Sequence, residues 1–148
     1  MRHTNLHRRA TVLALTLAGA LGLYTACATM SGVASAQQIT LSGSNEVPPV
    51  STPATGTGTV TINPDRSVSA KITVSGMTAT ASHIHEGAAG TNGPVIVPFT
   101  KSADNTFVAP DGAKLTEAQY ASFKAGNLYV NVHSAQYPGG EVRAQLKP

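Results

Sequence analysis

"GTGTVTINPDRSVSAKITVSG", Gly56 to Gly76, decides the fold. Val60 and Ile62 alternate with Thr59 and Thr61, and Val68, Ala70, Ile72 and Val74 alternate with Ser69, Lys71 and Thr73. A strand sends successive side chains to opposite faces. Period-two patterning over β-branched residues therefore predicts two strands, each with one buried face. Between them "NPDR", Asn63 to Arg66, is a turn. Pro64 fixes φ there, and Asp65 can bond the local backbone. The stretch is a β-hairpin.

Upstream, Gln38 to Leu41 is a short strand, followed by a loop stiffened by Pro48-Pro49. Downstream, "TATASHIHEG" (Thr78–Gly87), "GPVIVPF" (Gly93–Phe99) and "NTFVAP" (Asn105–Pro110) read as further strands. One helix is expected in "LTEAQYASFKAGN", Leu115 to Asn127. Thr116 and Gln119 make a capping box, Leu115 and Tyr120 a hydrophobic staple, and Gly126 supplies the left-handed residue after the last turn. "NLYVNVHS" and "EVRAQL" close the chain as two strands joined by the turn "AQYPGG". Seven or eight short strands with a turn about every ten residues predict an all-β Greek-key sandwich or barrel. The helix sits in a crossover before the last two strands.

The same periodicity places the histidines. His83 and His85 lie two apart on one strand and share a face, with Ile84 turned to the core. In "LYVNVH", Leu128, Val130 and Val132 form the apolar face, and Tyr129, Asn131 and His133 the opposite one. In "EVRAQL", Val142, Ala144 and Leu146 face inward, and Glu141, Arg143 and Gln145 outward. His83, His85, His133 and Arg143 are all expected on outward faces. Imidazole nitrogen suits copper and zinc, and three of them with an open position make an exchangeable or reactive site. The spacing alone does not make the two strands neighbours, and surface histidines that only hydrogen-bond fit it as well. Glu86 reads as a solvated carboxylate at the strand end, with orientation of a ligand histidine as its alternative role. The glycines of "EGAAGTNGP" follow a strand without opening a helix. They are a turn and not a phosphate cradle.

Composition bounds the partners. Arg2, Arg8 and Arg9 precede the uncharged, mostly apolar run Ala10–Ala28, and Val33-Ala34-Ser35-Ala36 offers an A-x-A-like cleavage site. Residues 1–36 are expected to be a signal peptide cleaved after Ala36, leaving 37–148 as a single secreted or periplasmic domain. Three alternatives exist: an uncleaved anchor, a lipid anchor at Cys27, and a twin-arginine signal at Arg8-Arg9. The leader holds three of the ten Lys and Arg and none of the seven Asp and Glu, so the domain itself is balanced. The basic whole-chain balance thus carries no nucleic-acid signal, and no membrane contact is expected after cleavage. The only cysteine, Cys27, lies in the leader, so the domain has neither a disulfide nor a cysteine nucleophile.

In order along the chain, "LSGSNEVPPV", "GTGTVTINPD", "ASHIHEGAAGTNGPVIVPF" and "LTEAQYASFKAGNLYVNVHSAQYPGGEVRAQL" resemble the CHRD domain, a module named after chordin and common in secreted bacterial proteins. The resemblance implies an extracytoplasmic β-sandwich or barrel and names no protein partner for this chain. More distantly, "HIHEG" and "YVNVHS" resemble the copper-binding strands of Cu,Zn superoxide dismutase, so the fold is expected to be superoxide dismutase-like or immunoglobulin-like. That second resemblance implies copper ligation by His83, His85 and His133, with Arg143 as a catalytic guide for the anion. The bridging histidine and the disulfide of that enzyme have no counterpart here, so a copper-only site is implied and zinc is second. Three readings follow: a copper-binding protein for storage, delivery or protection, a superoxide dismutase-like enzyme, and an extracellular interaction module without metal.

Overall fold

A computed structural model describes residues 36–148. Residues 1–35, which hold Cys27 and all of the expected leader except Ala36, lie outside the described residues. The hairpin forms as its pattern requires. β2 (Thr55–Ile62) and β3 (Val68–Ser75) pair antiparallel, with Thr55 opposite Ser75 and Ile62 opposite Val68. The turn is held by Asp65, whose Oδ1 accepts from the Ser67 N–H at 3.0 Å. Arg66 takes the left-handed conformation, with φ 74°.

β1 (Ala36–Ser42) runs along the other side of β2 and is longer than the alternation suggested. A short 3-10 turn (Gly43–Asn45) follows. β4 (Ala79–Glu86) carries the two histidines. β5 (Val95–Pro98), β6 (Thr100–Ala103) and β7 (Thr106–Val108) come next. β6 has no apolar face and every residue in it is exposed, so no hydrophobic alternation marks it in the sequence. The helix α1 (Glu117–Lys124) has both bonds of the capping box: Thr116 Oγ1 accepts from the Gln119 N–H, and Gln119 Oε1 from the Thr116 N–H. Gly126 has φ 76°, as its place after the helix predicts. β8 (Leu128–Ser134) and β9 (Val142–Gln145) complete the domain.

The nine strands form one sheet in the order β5-β4-β8-β9-β1-β2-β3-β7-β6, with every pair antiparallel. The last strand returns to lie beside the first, which gives the order β9-β1-β2-β3 of a Greek key. The two edge strands, β5 and β6, are consecutive in the chain with only Phe99 between them, and the Phe99 N–H bonds the Ser82 carbonyl of β4. The sheet is therefore nearly closed into a barrel. Its interior holds Leu41, Val60, Ile72, Ile84, Phe107, Leu128, Val130, Val132, Val142 and Leu146, all essentially without solvent contact. Each such aliphatic side chain contributes roughly 1.5–3 kcal/mol by leaving water. Beside Ala36 the chain also leaves the domain: Gln37 Nε2 donates to the Lys147 carbonyl at 2.8 Å, and the Lys147 N–H returns to Gln37 Oε1 at 2.9 Å.

One expectation is corrected. The faces of β4, β8 and β9 that carry His85, His133, Glu141 and Arg143 are not outward-facing; these four residues are buried, and His83 is half-buried. Every residue of β8 is buried on both faces. The cause is loop coverage. Backbone carbonyls of residues 88, 91, 93 and 138 accept hydrogen bonds from these side chains, so the loops after β4 and β8 lie over that face.

Candidate metal centre

β4 and β8 are adjacent, and their register puts Ala81 opposite His133, His83 opposite Asn131 and His85 opposite Tyr129. The three histidines, fifty residues apart at their widest, meet there. On its other side β4 pairs with β5 through a bulge at Ile84 and His85, where Val97 and Val95 are successive partners and Ile96 is the extra residue. Bulges of this kind bend a strand and re-aim its side chains.

One candidate ligand nitrogen from each of His83, His85 and His133 lies within 4.8 Å of the others. Nitrogens on one ion at about 2.0–2.1 Å can be no more than about 4.2 Å apart, so ring movements of under about 1 Å would close the site. His83 Nδ1 and His133 Nε2 already stand 2.9 Å apart. Backbone carbonyls set the tautomers. His85 Nδ1 donates to the Gly93 carbonyl and His133 Nδ1 to the Pro138 carbonyl, each at 2.9 Å. Since a carbonyl only accepts, the Nε2 atoms of both rings carry lone pairs. His85 Nε2 is buried and has no partner. A neutral imidazole nitrogen held by a second hydrogen bond on its far side is the arrangement that metal-binding histidines use.

The rings are kept neutral. Burial pushes the His83 pKa down to about 4, reinforced by the neighbouring His133 and His85. Burial also lowers His85 and His133, against the raising effect of their carbonyl partners. Protons therefore compete weakly for these nitrogens at neutral pH. The donors fit a borderline or soft metal: three imidazoles, no thiolate, and among the described residues no other cluster of metal-ligating side chains.

Around the histidines stand Tyr129, Arg143 and the glycine-rich segment after β4. The Tyr129 ring stacks on His85, with centroids 4.9 Å apart and planes 9° from parallel. On the strand at the opposite side of β8, Arg143 places its guanidinium carbon 3.4 Å from the Tyr129 ring centroid. Arg143 is 1 % exposed. Its Nη2 donates to the carbonyls of Thr91 (2.9 Å) and Ala88 (3.3 Å) and to Gln145 Oε1, and its Nη1 donates to Asn92 Oδ1. The glycine-rich segment is thus more than a turn leaving the strand. It folds back as the cap of Arg143 and the tether of His85. Gly93 permits this, since a Cβ there would lie 1.6 Å from the Glu86 carbonyl oxygen. Glu86 is not a freely solvated carboxylate either: it accepts from Ser122 of α1 and so ties the helix to the end of β4.

Two further polar groups are buried without a hydrogen-bond partner: Asn131 Oδ1 and Glu46 Oε1. Glu46 is 5 % exposed, and burial raises its pKa to about 7 against the lowering effect of Arg143, the Val47 backbone and Asn131. Gly140 makes room for the pair, because a Cβ there would stand 2.5 Å from Glu46 Oε1 and 2.6 Å from Asn131 Nδ2. Tyr129 and Asn131 were visible in the sequence as the other members of the His133 face, which was a usable signal. Glu46 and Gly93 left none, because their roles depend on loops returning to the strands.

Comparison with known protein families matches residues 37–146 to the CHRD domain. No curated protein and no solved structure matches the chain.

Proposed function

The chain belongs to the CHRD domain family, and from that premise we propose that it is an exported metal-binding protein holding copper through His83, His85 and His133. The observation that carries this reading is the convergence of three neutral imidazoles around the buried, unpartnered Nε2 of His85. Imidazole nitrogen suits copper and zinc, and copper(II) stands highest in the divalent affinity order, so copper is first and zinc second. Gly93 and Pro138 fix the ring orientations through their carbonyls, and Tyr129 packs flat against His85. The metal would supply a Lewis-acidic or redox centre, while the chain supplies nitrogen donors and a largely water-excluded setting.

Storage, delivery or protection is favoured over superoxide turnover. Arg143, the guide that a dismutase-like site would use, directs its donors to loop carbonyls. Titration of the purified chain with copper, followed by absorption spectroscopy, tests the reading. One equivalent should bind to the wild-type chain, with at least tenfold weaker binding in His133→Ala. Equal binding by the two chains would sink it. The export reading rests on the leader sequence, and sequencing the N-terminus of the protein recovered outside the cytoplasm checks it. A mature chain starting at Gln37 supports cleavage, whereas an intact leader overturns it.

A further inference from the structure

Two buried lone pairs stand without partners beside the histidine cluster. His85 gives its Nδ1 proton to Gly93, so its buried Nε2 is an acceptor. Asn131 Oδ1 is likewise a buried acceptor without a partner. The two side chains are neighbours on one sheet face: Asn131 is opposite His83, and Tyr129, two residues before it on the same face, is opposite His85. Yet two acceptors cannot satisfy one another, and each buried acceptor left unpaired costs about 1–3 kcal/mol.

Turning the carboxamide over does not resolve this. Asn131 Nδ2 donates to the Gly139 carbonyl at 3.5 Å and stands beside Glu46 Oε1, both atoms lying within 2.6 Å of where a Gly140 Cβ would be. Exchanging nitrogen for oxygen would set an acceptor against two acceptors. The oxygen therefore belongs on the His85 side. A cation shared between Nε2 and Oδ1 satisfies both. Asn131 also stands in the right place on the sheet. Its Cα pairs with that of His83, and it precedes His133 by two residues on the same strand face.

We propose that Asn131 Oδ1 is a fourth donor to the metal held by His83, His85 and His133, giving a site of three imidazole nitrogens and one amide oxygen. The proposal rests on the copper reading above. Its chemical consequence is selectivity. Oxygen is a harder donor than imidazole, so it strengthens copper(II) and zinc binding while adding little for copper(I).

The test measures copper(II) and copper(I) affinities by competition titration, together with the copper(II) electron paramagnetic resonance spectrum, for the wild-type chain and for Asn131→Ala, Asn131→Leu and Asn131→Asp. Asn131→Ala should still bind one equivalent, lose about tenfold or more in copper(II) affinity, keep its copper(I) affinity within about threefold, and show an altered spectrum. Asn131→Leu, close to asparagine in volume, should behave alike and covers the case in which the alanine chain does not fold. Asn131→Asp, which keeps an oxygen at the same reach, should bind copper(II) at least as tightly as wild type. Wild-type copper(II) affinity and spectrum in the Ala and Leu variants would overturn the fourth donor while leaving the three-histidine site standing. Equal losses for both copper ions would also overturn it, since that outcome marks a packing role. A wild-type chain that binds neither ion overturns the three-histidine reading and this one with it.

Discussion

His83 Nδ1 and His133 Nε2 lie 2.9 Å apart and join residues fifty positions distant in sequence. Because His133 gives its own Nδ1 proton to Pro138, its Nε2 must accept, and His83 must donate. The cluster is thus held by a hydrogen bond between two of the proposed ligands, which a bound ion would replace.

Copper should therefore stabilise the native chain well beyond that one bond. At a free concentration about a hundred times Kd, binding adds about 2.7 kcal/mol, or roughly 10 °C in Tm for a domain of this size. In His133→Ala, with binding at least tenfold weaker, the copper-induced rise should fall to about 5 °C or less by the same relation. Differential scanning calorimetry with copper and with a chelator reads this directly, and equal rises in both chains would remove His133 from the site.

Gly93→Ala should unfold the loop that tethers His85. The added Cβ meets the Glu86 carbonyl oxygen at 1.6 Å, and main chain cannot yield as a flexible side chain can. A loss of about 3 kcal/mol or more in urea unfolding is expected, with copper affinity falling as well. A variant as stable as wild type would show that the loop tolerates another path.

Arg143 should prove to be a stability residue. Arg143→Ala strips the donors from two loop carbonyls and the cation from the Tyr129 face, and about 3 kcal/mol should be lost. Arg143→Lys should recover little of it, because an ammonium lacks the planar fork that reaches Ala88, Thr91 and Asn92 together. Chemical denaturation decides between this and a functional role: an unchanged midpoint with altered copper chemistry would reverse the assignment.

The histidines and Glu46 give the metal-free chain opposing pH dependences. The unfolded histidines protonate below about 6.5, whereas burial holds the folded His83 neutral to about 4. The His83 contribution is complete above pH 6.5 and drains away as pH falls to about 4, and the lowered His85 and His133 act in the same direction. Glu46 has the reverse sign. Its folded pKa of about 7 lies above the ordinary 4.5, so its contribution is full below 4.5 and lost as pH rises through 7. With a chelator present, the urea midpoint of wild type should drop steeply on the acid side. Glu46→Gln, freed of the opposing term, should climb more steeply with pH between 4.5 and 7. Parallel curves would remove Glu46 from the balance.

The hairpin, the capping box and the apolar faces were legible because each is a local pattern. Val60, Ile72, Val130 and Val142 lie in the core that their alternation predicts. So was the candidate site in part, since His83, His85 and His133 carry their own chemistry and fall on two strands. The burial of Arg143, Glu141 and the whole of β8 was not legible. Alternation distinguishes an apolar face from a polar one, but it is silent on whether a loop lies over the polar one. Here the covering depends on contacts such as Arg143 with Thr91, fifty-two residues apart. Asn131 shows the same limit at one atom: its place on the His133 face was readable, and its unpartnered oxygen was not.

The reciprocal bonds between Gln37 and Lys147 bring the entrance and the exit of the domain to one point. A unit built this way can be spliced into a surface loop of a host protein, or strung in tandem, without spreading the host's backbone. It also lends itself to circular permutation. A short linker across the Gln37–Lys147 seam, with new ends cut at the exposed Asp111-Gly112 turn, leaves every strand and all three histidines in place.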